Sequence, residues 1–345
     1  MKIHFPCRPV LAAIVAVAGF AWAGTSAMAA EFTWRLQTIA GAGTSEYKDL
    51  VEQFSRNVAQ ATGGRVEVKT YAAGTLMSSA QVVDAVSKGT LDMGHTYLVY
   101  FSGKEPALKA ANEWPAEVHP LQGVRWFYEA GGADLMRKIV AKHNIYFLGV
   151  TALLGEQIWS KKPIRGLDDV KGVKFRAAGL AADSFARAGA AVVPLPGEEI
   201  YQALQRGVID AVEFTTMPVN YGMGLHEVTK YVAFPSYSGG GTSDWIVNSA
   251  SWNKLPADLK VKMEEALKKT SEGYQRIAVA EEKEIMGKIE KGGVTLVRWP
   301  DAEMRKLERV RLTVMKEKYA VESPPYAEKL ESQLKFLKTL GYRAD

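Results

Sequence analysis

From residue 32 onward, short β-branched and apolar runs alternate with longer stretches in which apolar residues recur every three or four positions. The short runs are bounded by Gly, Pro or polar residues, which is typical of strands, and the longer stretches are typical of amphipathic helices. The predicted strands are Phe32–Gln37, Arg65–Tyr71, Met93–Tyr97, Tyr146–Thr151, Val173–Arg176, Val192–Pro194, Val208–Phe214, Asp244–Asn248 and Thr295–Trp299. This order predicts an α/β protein with mainly parallel sheets.

Three helical stretches have clear beginnings and ends. One is predicted from Thr44 to Ala61, and another begins at Pro196 and ends at Gly207. The segment from Pro256 to Ile289 is rich in Ala, Glu, Lys and Met, which predicts one long helix or two helices joined at a kink. The glycine run 239–241 precedes a predicted strand, so it is either a hinge or a loop beside a ligand.

The first thirty residues form a separate pattern. Lys2 and Arg8 precede an apolar run from Val10 to Ala23, and Ala27-Met28-Ala29 follows as a small-x-small cleavage site. This pattern predicts a secretory signal peptide over residues 1–30, because the apolar run is shorter than the roughly 20 residues needed to span a bilayer. Removing it takes away two basic residues and no acidic one, which lowers the formal net charge from +5 to +3. The mature protein is expected in the periplasm.

Cleavage is expected to leave Ala30 or Glu31 as the mature N-terminus, since a signal peptidase requires small residues just before the cut. Intact-mass measurement of the exported protein checks this expectation. A protein that keeps Met1 would contradict the predicted export.

Length and charge distribution predict the number of domains and argue against one class of partner. The chain has 345 residues, of which 47% are hydrophobic and 23% charged. At about 150 residues per domain, this length predicts two domains. The 43 basic and 38 acidic residues are interspersed without a long basic block, which argues against nucleic acid as a partner.

Motifs for catalysis are missing from the sequence. There is no Gly-x-Ser-x-Gly, Walker, His-Glu-x-x-His or dinucleotide-binding pattern, and the histidines are scattered singly. The single cysteine, Cys7, lies in the leader, so the mature chain has no thiol for catalysis or metal binding. The sequence therefore predicts no enzyme and no catalytic cofactor.

Two charged residues lie at predicted strand ends, where open α/β sheets bind ligands. Arg176 ends one strand, and its planar guanidinium is suited to donate two hydrogen bonds to a carboxylate. From the residues alone, a surface ion pair is the more ordinary role for it. Glu213 lies at the far end of another strand.

Ordered motifs over most of the mature chain resemble those of one known family. Residues 155–164 read GEQIWSKKPI, residues 166–176 read GLDDVKGVKFR, and residues 199–210 read EIYQALQRGVID and are followed by Glu213. Further landmarks are Gly63-Gly64-Arg65, Ala73-Gly74-Thr75-Leu76 and residues 86–94. The sequence thus resembles the extracytoplasmic solute-binding proteins of tripartite ATP-independent periplasmic (TRAP) transporters, the DctP-type family.

This resemblance implies a two-lobed periplasmic binding protein with a ligand cleft between the lobes and long helices linking them. The expected lobes are residues 31–153 with 241–281 and residues 154–240 with 282–345. The implied partners are a small organic acid and the integral membrane permease subunits of a TRAP transporter, and the sequence leaves a homodimer open.

Residues 207–214, which read GVIDAVEF, and the later Lys230-Tyr231 resemble the branch that binds 2-oxo or 2-hydroxy monocarboxylates, such as pyruvate or lactate, through Na⁺ or Ca²⁺. The implied ligand-binding residues are Arg176, Gln157, Tyr97, Glu156 and Phe214. The implied cation ligands are Gln157, Glu213, the carbonyl group of Phe214, and Asp244. Phe214 departs from the tryptophan frequent in that branch, and residues 235–238 lack a histidine often found there.

Several alternatives stay open at this point. Gln157 is equally suited to an interlobe hydrogen bond, and Asp244 to a loop role. The alternative ligands are a dicarboxylate, an aromatic acid and a polyol. The alternative partner is a sensor receptor instead of a permease.

Overall fold

The structure is a computed structural model that describes Met1, residues 29–238 and residues 240–342. Residues 2–28 of the predicted leader, including Cys7, and Gly239 of the glycine run lie outside the described residues. Within the described part of the chain, no helix is long and apolar enough to cross a membrane.

Two β-sheets organise the described residues. Their strands are β1 Phe32–Thr38, β2 Val66–Tyr71, β3 Met93–Thr96, β4 Ile145–Leu154, β5 Glu156–Ser160, β6 Lys174–Arg176, β7 Ala191–Val192, β8 Ala211–Thr216, β9 Tyr231–Phe234, β10 Gly240–Asn248 and β11 Thr295–Arg298. The first sheet has the order β2-β1-β3-β10-β4, and the second has the order β11-β9-β5-β8-β6-β7. Each sheet with the helices on it forms one lobe.

Helices cover both sheets and connect them. They are α1 Glu52–Thr62, α2 Val82–Ser87, α3 Pro120–Glu129, α4 Gly132–Ala141, α5 Gly179–Arg187, α6 Ile200–Arg206, α7 Met217–Gly222, α8 Leu225–Val228, α9 Ser249–Lys254, α10 Ala257–Lys291, α11 Asp301–Val314, α12 Ala320–Glu322 and α13 Pro324–Thr339. A π-helical segment, Glu46–Val51, leads directly into α1.

The chain crosses between the lobes at several points. Strand β4 runs into β5 through Gly155, and β9 connects to β10 through residues 235–239. Helix α10 contacts α1 and β4 in the first lobe and α7 and β11 in the second. The predicted two-lobed α/β fold with a long linking helix is therefore confirmed, and the stretch from Pro256 forms one helix without a break.

The sheets are mixed rather than mainly parallel, which corrects the expected strand arrangement. Strand β10 is antiparallel to β3 and β4, and β5 is antiparallel to β8 and β9. The reason is topological: β5 and β10 are the strands that enter a new sheet directly from the other lobe, without a crossover helix. Strands β5 and β9 are not among the predicted strands, since they have only five and four residues.

The C-terminal helix, α13, lies on the first lobe, whereas the sequence-based division assigns it to the second lobe. Helix α13 contacts α4, and Leu330 and Leu337 belong to the same hydrophobic cluster as Met136 and Ile139. The buried ammonium group of Lys329 donates to the carbonyl oxygen of Ala110 in this lobe. The other proposed lobe boundaries stay predictions.

Replacing Gly240 with alanine is expected to lower the free energy of unfolding by about 1–3 kcal/mol, the usual cost of overpacking. A Cβ atom there would clash with Cγ of Pro120 and would lie 2.9 Å from the carbonyl oxygen of Leu153. In contrast, Gly273 in α10 has no atom within 4 Å of an added Cβ, so Gly273→Ala is expected to stabilise the protein. Urea unfolding of both variants checks the opposite signs, and equal shifts would contradict this packing.

Candidate functional site

A cavity of about 50 Å³ lies between the two lobes, and we call it the interlobe cavity. On this scale a single ordered water needs roughly 10–15 Å³, so the cavity has room for one small molecule. Its polar lining residues are Tyr97, Tyr100, Asn112, Glu113, Glu156, Arg176, Glu213, Tyr237, Ser238 and Thr242. The first lobe, the second lobe and the crossover before β10 all contribute to it.

Arg176 forms one wall of this cavity. The residue is only 2% exposed, and its guanidinium is held by two backbone carbonyl groups: Nη1 donates to Glu213 at 2.7 Å, and Nε donates to Leu195 at 3.0 Å. The centroid of the Phe214 ring lies 4.8 Å from the guanidinium carbon, which is within cation–π distance. Nη2 has no hydrogen-bond partner although it is buried. A rigid, buried cation with a free donor is suited to an anionic ligand.

Three neighbouring strands bring Arg176 together with two carboxyl groups. Arg176 is the last residue of β6, which pairs in parallel with β8, and Glu213 lies in β8. Glu156 begins β5 on the other side of β8. A register irregularity between Glu156 and Gln157 directs Glu156 to the cavity. Strand pairing therefore explains how residues 57 positions apart, Glu156 and Glu213, come into contact.

A third carboxyl group and a tyrosine complete the acidic side of the cavity. The hydroxyl of Tyr237 lies 3.3 Å from Oε2 of Glu113 and 3.1 Å from Oε2 of Glu156. Oε1 of Glu113, in the first lobe, accepts a hydrogen bond of 2.9 Å from the backbone N–H of Leu180 in the second. These bonds join the two lobes directly, so the cleft is closed around the cavity.

The pKa values of these carboxyl groups show how crowded the negative charge is. Burial raises the pKa of Glu213 well above its usual range, and the adjacent carboxylate of Glu156 raises it further, while Arg176 lowers it. Burial also raises the pKa of Glu113 to about 7, against the opposing charge of Arg311. One oxygen of Glu213, Oε2, is buried without a hydrogen-bond partner. This side of the cavity therefore favours a proton or a cation.

Aromatic side chains enclose the rest of the cavity. The hydroxyl of Tyr97 donates across the cleft to Oγ1 of Thr215 at 3.2 Å. Tyr100 packs edge to face against Tyr97 with ring centroids 6.0 Å apart. Tyr100 also lines the cavity, where burial raises its pKa and the nearby positive charge of Arg176 opposes that rise.

Two of the expected site residues do not line the interlobe cavity. The side chain of Gln157 donates to Oε1 of Glu282 on α10 at 3.3 Å, because neighbouring residues of a strand face opposite sides. Asp244 is fully buried and accepts from the N–H of Leu98 at 2.8 Å and from Asn112 at 2.7 Å. The structure thus brings together Arg176, Glu156, Glu213, Phe214 and Tyr97, and their assignment as ligand-binding residues stays a prediction.

Sequence reasoning missed Glu113 and Tyr237, although both line the cavity. Tyr237 lies two residues before the glycine run, which was itself a signal for a loop beside a ligand. Glu113 follows a short 3₁₀ segment in the first lobe, and no pattern in its surroundings marks it. Only closure of the two lobes brings it to Tyr237 and Glu156.

We expect the ligand-free protein to lose stability as the pH rises from about 5 to about 8. Burial raises the pKa of both Glu113 and Glu46 to about 7 from an ordinary value of 4.5. The folded protein therefore holds these protons more tightly than the unfolded chain. The resulting stabilisation is complete below the unfolded pKa and is lost as the pH rises through the folded pKa.

Melting temperatures across this pH range check the expectation. The decline should be smaller in a variant that carries both Glu113→Gln and Glu46→Gln. A melting temperature that rises with pH over the same range would show that these carboxyl groups are not buried in the ligand-free protein.

The fold and the interlobe cavity together define a two-lobed binding protein. The chain matches the family 'bacterial extracellular solute-binding protein, family 7' over residues 36–322. The chain belongs to this family, whose members are periplasmic solute-binding proteins of TRAP transporters. They bind small organic acids, work with membrane permeases and are not enzymes, which confirms the predicted family and the exclusion of catalysis.

Individual relatives agree with this membership. A monocarboxylate 2-oxoacid-binding periplasmic protein of Nostoc sp. is 33% identical over 269 residues, which cover 77% of this chain and 74% of the relative. A TRAP solute-binding protein of Colwellia psychrerythraea, solved with bound calcium and pyruvate, is 25% identical, with a TM-score of 0.81. The match covers 90% of this chain and 95% of the Colwellia protein. A TRAP solute-binding protein of Pseudoalteromonas atlantica, with bound sodium and pyruvate, shares the fold at 24% identity, with a TM-score of 0.82. The match covers 90% of this chain and 94% of the Pseudoalteromonas protein.

Proposed function

We propose that this protein captures a small 2-oxo or 2-hydroxy monocarboxylate, such as pyruvate or lactate, in the periplasm and delivers it to a TRAP permease. Arg176 lines a cavity of about 50 Å³ and has a buried, unpartnered Nη2, and this is the observation that carries the proposal. Nη1 and Nη2 form one edge of the guanidinium, which is suited to two parallel hydrogen bonds with a carboxylate. The Nostoc relative is named for binding monocarboxylate 2-oxoacids, which supports the same class of ligand.

A bridging Na⁺ or Ca²⁺ is the second part of the proposal. Carboxylates and amide or carbonyl oxygens are the ligands that these cations prefer, and the cavity side chains offer no sulfur. Oε2 of Glu213 is buried without a hydrogen-bond partner, so it has free coordinating capacity. In this proposal Glu213 supplies the protein carboxylate, and the two adjacent oxygens of the acid complete the shell with amide or carbonyl oxygens.

Charge balance supports the cation. When Glu113, Glu156 and Glu213 are ionised, they would repel an anionic acid, and the single charge of Arg176 does not offset three carboxylates. Within the described residues, no three His, Cys, Asp or Glu side chains are arranged to hold a metal ion by themselves. The calcium and pyruvate bound together in the Colwellia relative support a cation held jointly by protein and ligand.

Closure of the lobes shields the site from water. Tyr97 and Thr215, and Glu113 and Leu180, are hydrogen-bonded across the cleft, so the ligand would be enclosed from both lobes. The exclusion of water strengthens the charge pairing at Arg176. The closed pair of lobes then forms a surface that differs from the open one, by which a permease would recognise the loaded protein.

A thermal-shift screen tests the proposal. The mature protein is heated with pyruvate, lactate, succinate, benzoate and a polyol, each with and without Ca²⁺. A ligand at one hundred times its dissociation constant stabilises the folded state by about 2.7 kcal/mol. We expect the largest rise in melting temperature with pyruvate or lactate in the presence of the cation. A larger rise with succinate, benzoate or the polyol would reassign the ligand.

A further inference from the structure

A second cavity, of about 220 Å³, lies beside the interlobe cavity. Tyr97 and Phe214 line both cavities, so the two spaces are neighbours across these two rings. The second cavity has more than four times the volume of the first. A three-carbon acid bound at Arg176 in the first cavity would leave this second space unused.

The lining of the second cavity is mainly apolar and comes from both lobes. Ile39 and Ala73 belong to the first lobe, and Val219 and Met223 belong to the second. The backbone N–H of Ser79 donates to Oε1 of Glu198 at 3.0 Å, which joins the lobes beside this cavity. Closure of the lobes therefore encloses the second cavity as well as the first.

One polar group in this cavity is unsatisfied. Glu46 is 2% exposed, and its Oε1 has no hydrogen-bond partner. The nearest histidine nitrogen, Nε2 of His95, lies 3.8 Å away and is engaged with Ser243 at 2.7 Å, while Nδ1 is engaged with Thr38 at 2.7 Å. Leaving a buried acceptor unpaired is costly, so this oxygen is suited to a donor brought by a ligand.

We propose that the second cavity binds the tail of the transported acid and that the preferred ligand is a 2-oxo monocarboxylate with an aliphatic tail ending in a hydrogen-bond donor. The inference rests on the proposed function, since the carboxylate and keto group of the ligand remain at Arg176. The tail passes between Tyr97 and Phe214, its carbon atoms contact Ile39 and Val219, and its terminal donor reaches Glu46.

Three acids of graded structure test this inference by calorimetry: pyruvate has no tail, 2-oxopentanoate has an apolar tail, and 5-hydroxy-2-oxopentanoate has the same tail with a terminal donor. The wild-type protein is expected to bind the hydroxy acid at least ten times more tightly than pyruvate. Val219→Phe, which fills the cavity, should remove most of that advantage and change pyruvate affinity by less than threefold. Glu46→Leu should abolish the preference for the hydroxy acid over 2-oxopentanoate.

Controls keep each part of the test separate. Val261→Phe makes the same change at a position on α10 that is 53% exposed, and it should leave all three affinities unchanged. Ala73→Leu fills the cavity from the first lobe and serves where Val219→Phe does not fold. If pyruvate binds but the tailed acids gain nothing, or are insensitive to both filling variants, the inference is wrong and the proposed function stands. If no 2-oxo acid binds at all, the proposed function itself fails.

Discussion

Replacing Arg176 with lysine is expected to weaken binding of the acid by at least a factor of ten while the fold survives. The buried guanidinium holds its orientation through the carbonyl groups of Glu213 and Leu195 and keeps Nη2 free for the ligand. A lysine keeps the charge but loses the planar edge that donates two parallel bonds. A hydrogen bond to a charged group contributes about 1.5–3 kcal/mol, and about 1.4 kcal/mol corresponds to a tenfold change in affinity.

Calorimetry with pyruvate measures this change, and circular dichroism with a melting curve shows that the variant is folded. Arg187→Lys is the matched control, because Arg187 lies exposed on the same lobe and pairs with Glu317 at 3.5 Å. The control should bind as the wild type does. An unchanged dissociation constant in Arg176→Lys would remove Arg176 from the ligand site.

Removal of bound cations is expected to lower the affinity for the acid at least tenfold, and added Ca²⁺ or Na⁺ should restore it. Glu213 lies beside Glu156 in the cavity, where burial and this neighbouring charge raise its pKa and favour any bound positive charge. Without a cation, the carboxyl groups either repel the anionic ligand or must bind protons before it enters. Titration of chelator-treated protein with pyruvate, before and after adding the cation, measures the effect.

Glu213→Gln should weaken the dependence on the cation, because the amide keeps the shape of the side chain but not its charge. Glu317→Gln, which removes an exposed carboxylate from the same lobe, should leave the dependence intact. Acid binding that is equally tight with and without cations would contradict the bridging ion. Arg176 and neutral donors such as Tyr100 would then carry the affinity.

Much of the second lobe could be predicted from local sequence. The segment 166–176 places Arg176 at a strand end, and residues 207–214 combine a helix-ending glycine with the strand that carries Glu213. Each of these features depends on residues close together in the chain. For this reason the motifs identified the strands, the arginine and the family together.

Contacts that depend on several distant segments could not be predicted in the same way. Glu113 and Tyr237 are 124 residues apart and meet only because the lobes close. The irregularity at Glu156 turns Gln157 towards α10, and no local pattern predicts which of the two faces the cavity. The position of α13 was missed for the same reason, because its buried residues Leu330 and Leu337 pack against first-lobe residues far away in the chain, such as Met136.

Calorimetric titration of the mature protein, freed of carried-over ligand, with pyruvate in the presence of Ca²⁺ tests the central claim most directly. The account predicts saturable binding of one pyruvate molecule per chain, reduced at least tenfold in Arg176→Lys and unchanged in Arg187→Lys. The absence of saturable binding for pyruvate, lactate and longer 2-oxo monocarboxylates, with Ca²⁺ or Na⁺ present and the protein folded, would contradict it.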